Sequence, residues 1–232
     1  MPSASFRPAL IVVDVQEDFC PPNGSLAVPN GRDILRTLNH LLTLPFVLKV
    51  ATKDWHPATH ISFSANHPNT SPYTSFTTVT NPSNPAESYQ TRLWPVHCVQ
   101  NTPGAALVPE LHREHIDKIV EKGQDARVEM YSAFYDPLRE PRVSDSGLAG
   151  TLREAAVTDC FVVGLAADYC VKATALDAAA EGFKTWIVDE GTRAVDIDGW
   201  EECKKTLAEK GVWVVSAEGA EIGKVAALSA EG

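Results

Sequence analysis

The sequence predicts an α/β protein with a six-stranded, mostly parallel, doubly wound sheet. Short runs of β-branched and apolar residues alternate with segments of helical periodicity along the 232 residues. The first of these runs lacks the polar–apolar alternation of a strand with one face in water, so it is expected to be buried on both faces. Repeated strand–helix–strand units form parallel sheets covered by helices on both sides. The expected architecture is therefore a three-layer α/β/α sandwich.

The composition fits one globular domain over residues 1–232. Hydrophobic residues make up 44% and charged residues 22% of the chain, which allows a packed core and is too apolar for a disordered chain. The formal net charge of −10 at pH 7 argues against a polyanionic partner, because nucleic-acid binding depends on clustered Lys and Arg. We therefore expect neither nucleic acid nor an anionic membrane among the partners.

Sorting and anchoring signals are not found in the sequence. The first residues lack the basic start and apolar run of a secretory signal, and no stretch reaches the ~18 continuous apolar residues of a membrane span. The last four residues, SAEG, match no peroxisomal or endoplasmic-reticulum address. Five scattered cysteines without a C-x-x-C pair suit free thiols in a reducing compartment. We expect a cytoplasmic protein, with the nucleus as a second location.

Two buried strands and one helix are predicted in the first part of the chain. Residues 9–15, ALIVVDV, form a β-branched run that is typical of a strand in a parallel sheet. Asp14 lies near the carboxyl end of this run. Leucine and isoleucine then recur at helical spacing over residues 32–43, and a second buried strand covers residues 46–51.

Residues 54–104 have little periodicity and are rich in Pro, Ser, Thr and Asn. A disordered linker would be poor in aromatic residues, whereas tryptophan, tyrosine and phenylalanine are interspersed throughout this segment. We therefore interpret it as a long functional loop region that supplies metal and substrate contacts.

The second half of the chain alternates regularly between strands and helices. The predicted strands cover residues 118–121, 160–164, 185–189 and 212–215. The predicted helices cover about residues 147–156, 170–182 and 199–210. Small residues on most faces of the middle helix would let it lie close against the sheet.

Reactive side chains stand near the carboxyl ends of four different predicted strands. They are Asp14, Asp54 with His56, Lys122 and Cys170. Ligands of open parallel sheets bind beyond the carboxyl ends of the strands, so these groups are expected to meet in one crevice. Because Cys170 falls at the start of a helix, we also expect the pKa of its thiol to be lowered. A buried, inert cysteine is the alternative interpretation.

A metal site is the second prediction from residue types and spacing. In an extended segment Asp54 and His56 point to the same side, and His97 can supply a third ligand. Three protein ligands leave open positions, as catalytic zinc sites require. His60 and His67 lie in the same loop region and stay open as extra ligands.

Five segments in order resemble the nicotinamidases of the isochorismatase-like cysteine hydrolase family, most closely the fungal ones. The segments are IVVDVQEDF (11–19), TKDWHPATHISF (52–63), LWPVHCVQNTPG (93–104), IVEKGQDARVEMYSAF (119–134) and VVGLAADYCVKATALDAAAEG (162–182). The resemblance runs from about residue 9 to 216. It implies a Rossmann-like α/β/α hydrolase that converts nicotinamide to nicotinic acid and ammonia.

The same resemblance assigns roles to individual residues. It implies a catalytic triad of Asp14, Lys122 and Cys170, with a thioester formed on the cysteine, and an oxyanion hole made by the N–H groups of Ala166 and Cys170. A cis peptide bond is expected between Leu165 and Ala166. The implied metal ligands are Asp54, His56 and His97, with Zn²⁺ as the first choice and Fe or Mn as alternatives. The implied substrate-pocket residues are Phe19, Trp94, Tyr131 and Tyr169.

Two other functions stay open at this point. Cysteine amidases acting on carbamoyl or ureido groups share the triad but generally lack the metal ligands, whereas vinyl-ether-cleaving isochorismatases lack the cysteine. The chain could also be a metal-binding regulatory homologue with an idle triad. The expected partner is the small molecule nicotinamide, and assembly into a homo-oligomer is left open.

Overall fold

The structure, a computed structural model, describes residues 6–228. Its strands are β1 (Pro8–Val13), β2 (Leu48–Asp54), β3 (Phe76–Asn81), β4 (Asn84–Arg92), β5 (Lys118–Lys122), β6 (Asp159–Leu165), β7 (Lys184–Arg193) and β8 (Val212–Val215). Its helices are α1 (Leu35–Thr43), α2 (Leu148–Glu154), α3 (Lys172–Ala180), α4 (Trp200–Glu209) and α5 (Ala220–Ala227). The SAEG sequence (229–232), which we searched for a sorting signal, lies outside the described residues.

Six strands form one parallel sheet in the order β5-β2-β1-β6-β7-β8. This confirms the predicted doubly wound sheet. The chain builds outward from β1 to β5, returns to place β6 beside β1, and then builds outward in the other direction. The strand order therefore reverses between β1 and β6, and ligands of such sheets bind at the carboxyl ends of the strands at this switch point. Asp14 follows β1 and Cys170 follows β6 closely in the chain.

Helices cover both faces of the sheet. Successive side chains of a central strand point to opposite sides, so each central strand packs into two apolar clusters. On one face Leu10 and Val12 of β1 pack in a cluster with apolar residues of α1 and α5. On the other face Ala9 and Ile11 pack in a cluster with residues of α2, α3 and α4. All six residues of β1 are buried, as its unbroken apolar run predicts. The centre of the sheet is thus built from strands that are buried on both sides, β1 and β6, whereas the edge strands β5 and β8 are partly exposed.

The segment 54–104 contains an antiparallel hairpin, β3–β4, that the sequence pattern did not indicate. Its strands are rich in Thr, Ser and Asn, and most of their residues are exposed or only partly buried. A hairpin that lies apart from the main sheet buries little, so it lacks the apolar run by which we located the other strands. Val79 is one of its few buried positions and lies opposite Tyr89.

One helix begins later than predicted, and one helix was not predicted. A five-residue π-helical turn (Ala167–Val171) precedes α3, so Cys170 lies in this turn and the regular helix begins only at Lys172. Helix α5 was not predicted, because its eight residues come close to the end of the chain and give a weak periodic signal. In the described part of the chain, no helix is long and apolar enough to cross a membrane.

Candidate active site

Asp14, Lys122 and Cys170 meet at the switch point of the sheet. Lys122 is the last residue of β5. Its long side chain, 1% exposed, reaches the other two residues. Its Nζ lies 2.9 Å from Asp14 Oδ2 and 3.6 Å from Cys170 Sγ. Reactive atoms of Asp14, Asp54 and Cys170 all lie within 4.8 Å of one another. A carboxylate, an ammonium group and a thiol from three strand ends therefore share one buried volume.

Hydrogen bonds fix the orientation of the Asp14 carboxylate. The Thr52 hydroxyl donates to Asp14 Oδ1, and Thr52 Oγ1 accepts the Asp14 N–H at 3.1 Å. Thr52 itself belongs to β2, the neighbour of β1, and is completely buried. Asp14 Oδ2 faces Lys122 and is left free of other hydrogen-bond donors among the described residues. This oxygen is the one available for proton transfer.

Burial and charge set the protonation of the carboxylate and the ammonium group. Burial raises the pKa of Asp14 to about 6, although Lys122 opposes the rise. Burial would lower the pKa of Lys122, but the carboxylates of Asp14 and Asp54 hold it well above its ordinary value. Lys122 therefore stays charged, whereas Asp14 can exchange a proton near neutral pH.

The expected lowering of the Cys170 pKa is wrong. Burial raises the pKa of the thiol well above its ordinary value; Asp14 and Asp54 add to the rise, while Lys122 opposes it. The thiol lies in the π-helical turn and is 6% exposed, so desolvation outweighs any helix N-terminus effect. At neutral pH the resting site thus holds a thiol beside a carboxylate, and the thiolate forms only when that carboxylate takes the proton.

A tight turn brings Ala166 and Cys170 to the same wall of the site. The Ala166 carbonyl accepts the N–H groups of Tyr169 and Val171, both at 3.1 Å, which folds the chain back on itself. The peptide bond between Leu165 and Ala166 is cis, as the resemblance implies. Ala166 and Cys170 line one cavity, where their N–H groups are our candidates for the oxyanion hole.

Asp54, His56 and His97 form a buried cluster with ligand atoms within 4.8 Å of one another. The Nδ1–H groups of the two histidines donate to backbone carbonyls, that of His56 to Gly123 O and that of His97 to Pro95 O, each at 2.7 Å. Both Nε2 atoms then face Asp54 Oδ2, at 3.4 Å for His56 and 3.9 Å for His97. Metal-binding histidines are commonly oriented by such second hydrogen bonds.

The donor set fits a divalent cation. His56 Nε2 is completely buried and has no hydrogen-bond partner within the described chain. Although burial alone would raise it, Lys122 and His56 hold the pKa of the Asp54 carboxyl below its ordinary value. Burial lowers the pKa of His97 to about 4, so this imidazole is neutral at physiological pH. A carboxylate with two imidazole nitrogens is a ligand set for Zn²⁺ and for other first-row divalent metals.

His60 and His67, the two open ligand candidates, lie outside this set. The His60 ring stacks on His56 with a centroid separation of 3.9 Å, and its two nitrogens pair with Ser62 Oγ and Val128 O. His67 Nε2 donates to the Ile61 carbonyl at 2.7 Å. In this conformation His60 supports the orientation of His56, and neither residue presents a free nitrogen toward Asp54.

A narrow, open-mouthed cavity lies between Cys170 of the triad and the metal-ligand candidates Asp54 and His97, all three of which line it. The four aromatic residues expected in the substrate pocket all line it: Phe19, Trp94, Tyr131 and Tyr169. The indole N–H of Trp94 donates to Tyr131 Oη at 2.9 Å, and the Trp94 and Tyr169 rings meet edge to face at 4.9 Å. These contacts fix flat walls for a small aromatic ligand.

Four further residues of the cavity wall were not predicted: Leu26, Val28, Glu129 and Val195. Glu129 is 3% exposed, and burial raises the pKa of its carboxyl. An acidic residue between Val128 and Met130 in an otherwise apolar stretch was the only signal in the sequence. The three apolar residues lie in irregular segments, where no periodicity indicates which side chains face the cavity.

Comparisons with known proteins agree with this geometry. The family model described as "Isochorismatase domain" matches residues 8–219. A nicotinamidase of Acinetobacter baylyi is 39% identical over 199 residues, which cover 84% of this chain and 87% of the relative. The crystal structure of the yeast nicotinamidase bound to the inhibitor nicotinaldehyde superposes with a TM-score of 0.84 at 36% identity, covering 90% of this chain and 99% of that one. The Pyrococcus horikoshii pyrazinamidase in complex with zinc gives a TM-score of 0.69 at 34% identity, with coverage of 90% and 99%.

Proposed function

We propose that this chain, which belongs to the isochorismatase family and is a hydrolase that acts on an amide, hydrolyses nicotinamide to nicotinic acid and ammonia. Such a reaction would return nicotinamide to NAD salvage. One observation carries the proposal: Cys170, which lies beside Asp14 and Lys122, lines the same cavity as Asp54 and His97, two of the three proposed metal ligands. The nicotinamidases among the relatives support the same substrate.

In the first half-reaction Asp14 takes the proton of the Cys170 thiol as the sulfur attacks the carboxamide carbon. The negative charge that develops on the carbonyl oxygen is held by the N–H groups of Ala166 and Cys170, each worth ~2.7–4 kcal/mol in comparable enzymes. Asp14 then gives its proton to the nitrogen, the C–N bond breaks, and ammonia leaves a thioester on Cys170. Lys122 stays protonated and limits the cost of a charged Asp14 or a thiolate in this buried site.

In the second half-reaction water replaces ammonia. Asp14 accepts a proton from water as the oxygen attacks the thioester carbon, and the C–S bond breaks. The thiolate regains its proton and nicotinic acid is released. The same carboxylate therefore serves as base and acid in both halves, which suits a pKa of about 6.

The metal site has a separate role in this proposal. Asp54, His56 and His97 would hold the cation, with Zn²⁺ as the first choice and Fe or Mn as alternatives. A bound cation supplies a Lewis acid for the pyridine nitrogen and so orients the ring. Trp94, Tyr131 and Tyr169 provide the flat walls on which the ring lies, and Phe19 packs 5.4 Å from the His97 ring. We propose that one domain performs this chemistry in the cytoplasm, with segment 54–104 supplying metal and substrate contacts.

Paired substrates test the proposal. Metal-loaded protein is incubated with nicotinamide, with benzamide, which lacks the ring nitrogen, and with a ureido compound, and released ammonia is measured. We expect turnover of nicotinamide, a much higher KM for benzamide, and no turnover of the ureido compound. Hydrolysis of the ureido compound alone would instead assign another amidase reaction. Metal binding without turnover of any amide would favour a regulatory homologue.

A further inference from the structure

Gln16 and Asp18 lie on the short segment that follows β1 and carries Asp14. Gln16 is completely buried, and all three hydrogen bonds of its side chain go to backbone atoms. Its Oε1 accepts the N–H of Asp54 at 2.8 Å, and its Nε2 donates to the Asp54 carbonyl at 2.8 Å and to the Ala105 carbonyl at 2.9 Å. One side chain thus holds both backbone polar groups of a candidate metal ligand.

Asp18 makes the corresponding contact to the loop that carries His97. Its Oδ2 accepts the N–H of Cys98, the next residue after His97, at 2.7 Å. Cys98 has a φ of 46°, a conformation that needs support from its surroundings. The carboxylate also lies against Gly104, where an added Cβ would come within 2.4 Å of its atoms. Asp18 therefore fits closely between two parts of the 97–104 loop.

The three candidate ligands come from the end of β2 and from two loops, which must be held in register. Backbone hydrogen bonds already join His56 to the 97–104 loop, since the His56 N–H donates to Cys98 O at 3.0 Å and the Gln100 N–H donates to His56 O at 2.9 Å. Gln16 joins the segment that bears Asp14 to Asp54 and Ala105, and Asp18 joins it to Cys98. Lys122 contacts both Asp14 and Asp54, and Gln16 and Asp18, which lie outside the cavity wall, add further links between the candidate ligands and the segment that bears Asp14.

From this network we propose that Gln16 and Asp18 are positioning residues that set the metal affinity of the site. The inference rests on the proposed function, because it takes Asp54, His56 and His97 as the metal ligands. Groups that orient metal ligands typically change metal affinity by about 10–100-fold when they are removed. Loss of these contacts should loosen the Asp54 and His97 backbones while leaving the Asp14–Lys122–Cys170 contact in place.

The test measures zinc affinity directly, by competition with a chromophoric chelator, for the wild type, Gln16→Ala and Asp18→Ala. Asn39→Ala is the matched control, because Asn39 also bridges backbone groups, those of Glu110 and His112, but at a site outside the cavity. We expect zinc binding weaker by about 10–100-fold in both test variants and unchanged in the control. We also expect excess zinc to restore nicotinamide turnover, which it would not do for a variant that had merely lost its fold.

Two conservative variants keep the inference testable if an alanine variant does not fold. Gln16→Glu keeps the volume but turns a carboxylate oxygen toward two carbonyls, so zinc binding should weaken. Asp18→Asn keeps an acceptor for the Cys98 N–H, so zinc binding should fall less than in Asp18→Ala.

Wild-type affinity in Gln16→Glu and Asp18→Ala, in a protein that binds zinc, would overturn the inference while leaving the proposed function intact. If the variants bind zinc more weakly but the wild type does not hydrolyse nicotinamide, the proposed function is refuted and the inference stands. A wild type that binds no zinc would overturn the inference, and it would overturn the proposed function as well only if no metal-loaded form released ammonia from nicotinamide.

Discussion

At the scale of single residues, the site is organised by the protonation of Asp14. The carboxyl is completely buried, and this raises its pKa to about 6 even beside Lys122. Its hydrogen bond from Thr52 favours the charged form and lowers the pKa. The carboxyl is therefore mostly deprotonated at neutral pH and becomes protonated near pH 6, and its pKa depends on a hydroxyl group that takes no part in the chemistry.

The pH dependence of kcat/KM follows from this assignment. A general base must be deprotonated, so activity should fall about tenfold per pH unit below a midpoint near pH 6. Thr52→Val removes the hydroxyl that stabilises the carboxylate, so the midpoint should move to higher pH. Initial rates of ammonia release between pH 4.5 and 8 give both midpoints. A wild-type midpoint near 4, or no change in the variant, would contradict the role of Asp14.

Residue types at strand ends were enough to predict Asp14, Lys122 and Cys170 as neighbours. Their protonation could not be predicted, because the pKa of Cys170 depends on desolvation and on two carboxylates that approach from other strands. The role of Thr52 could not be predicted either. Only the pairing of β1 with β2 shows that its hydroxyl lies beside the Asp14 carboxylate.

At the scale of elements, β6 must lie very close to β1 to bring the turn with Cys170 beside Asp14. Gly164 of β6 is paired with Val13 of β1 and has a φ of 109°. A Cβ at this position would come within 2.0 Å of the Val13 carbonyl oxygen. The glycine is thus required both by backbone conformation and by the spacing of the two strands at the switch point.

Two glycine substitutions separate this requirement from a general effect of alanine. Gly164→Ala should lower the free energy of unfolding by about 2–5 kcal/mol, because it adds backbone strain and a clash between strands. A Cβ at Gly150 in α2 would have no atom within 4 Å. Gly150→Ala should therefore raise the free energy of unfolding by ~0.5–1 kcal/mol. Urea denaturation measures both. Equal stability of the two variants would show that β6 can move away from β1.

Elements that are buried on both faces were predicted to within a few residues, as the positions of β1 and β6 illustrate. The hairpin β3–β4 was not, because its stability comes from cross-strand pairs such as Val79 with Tyr89 and not from an apolar run. The π-helical turn before α3 also left no pattern, since its geometry is set by the contacts of the Ala166 carbonyl.

At the scale of the whole molecule, the proposed metal would link the two sides of the cavity. Its proposed ligands lie on β2 and on the loops around it, whereas the nucleophile follows β6. A cation bound only by the folded state stabilises that state by mass action, by about 4 kcal/mol at roughly a thousand times its Kd. Metal binding should therefore affect both stability and substrate affinity.

Removal of the metal tests this link. Dialysis against a chelator should lower the melting temperature and raise the KM for nicotinamide, and added Zn²⁺ should reverse both changes. Differential scanning calorimetry and steady-state kinetics measure the two effects. An unchanged substrate affinity in metal-free protein would remove the orienting role that we assign to the site.

We propose Cys170 as the nucleophile of an amide hydrolysis, and ammonia release by the metal-loaded wild type and by Cys170→Ala measures what the thiol contributes. We expect turnover of nicotinamide by the wild type and a loss of at least about 10⁴-fold in kcat for the variant. The variant should keep the fold and the metal content. Turnover near the wild-type rate in Cys170→Ala, or none in the metal-loaded wild type, would show that Cys170 is not the nucleophile of this reaction.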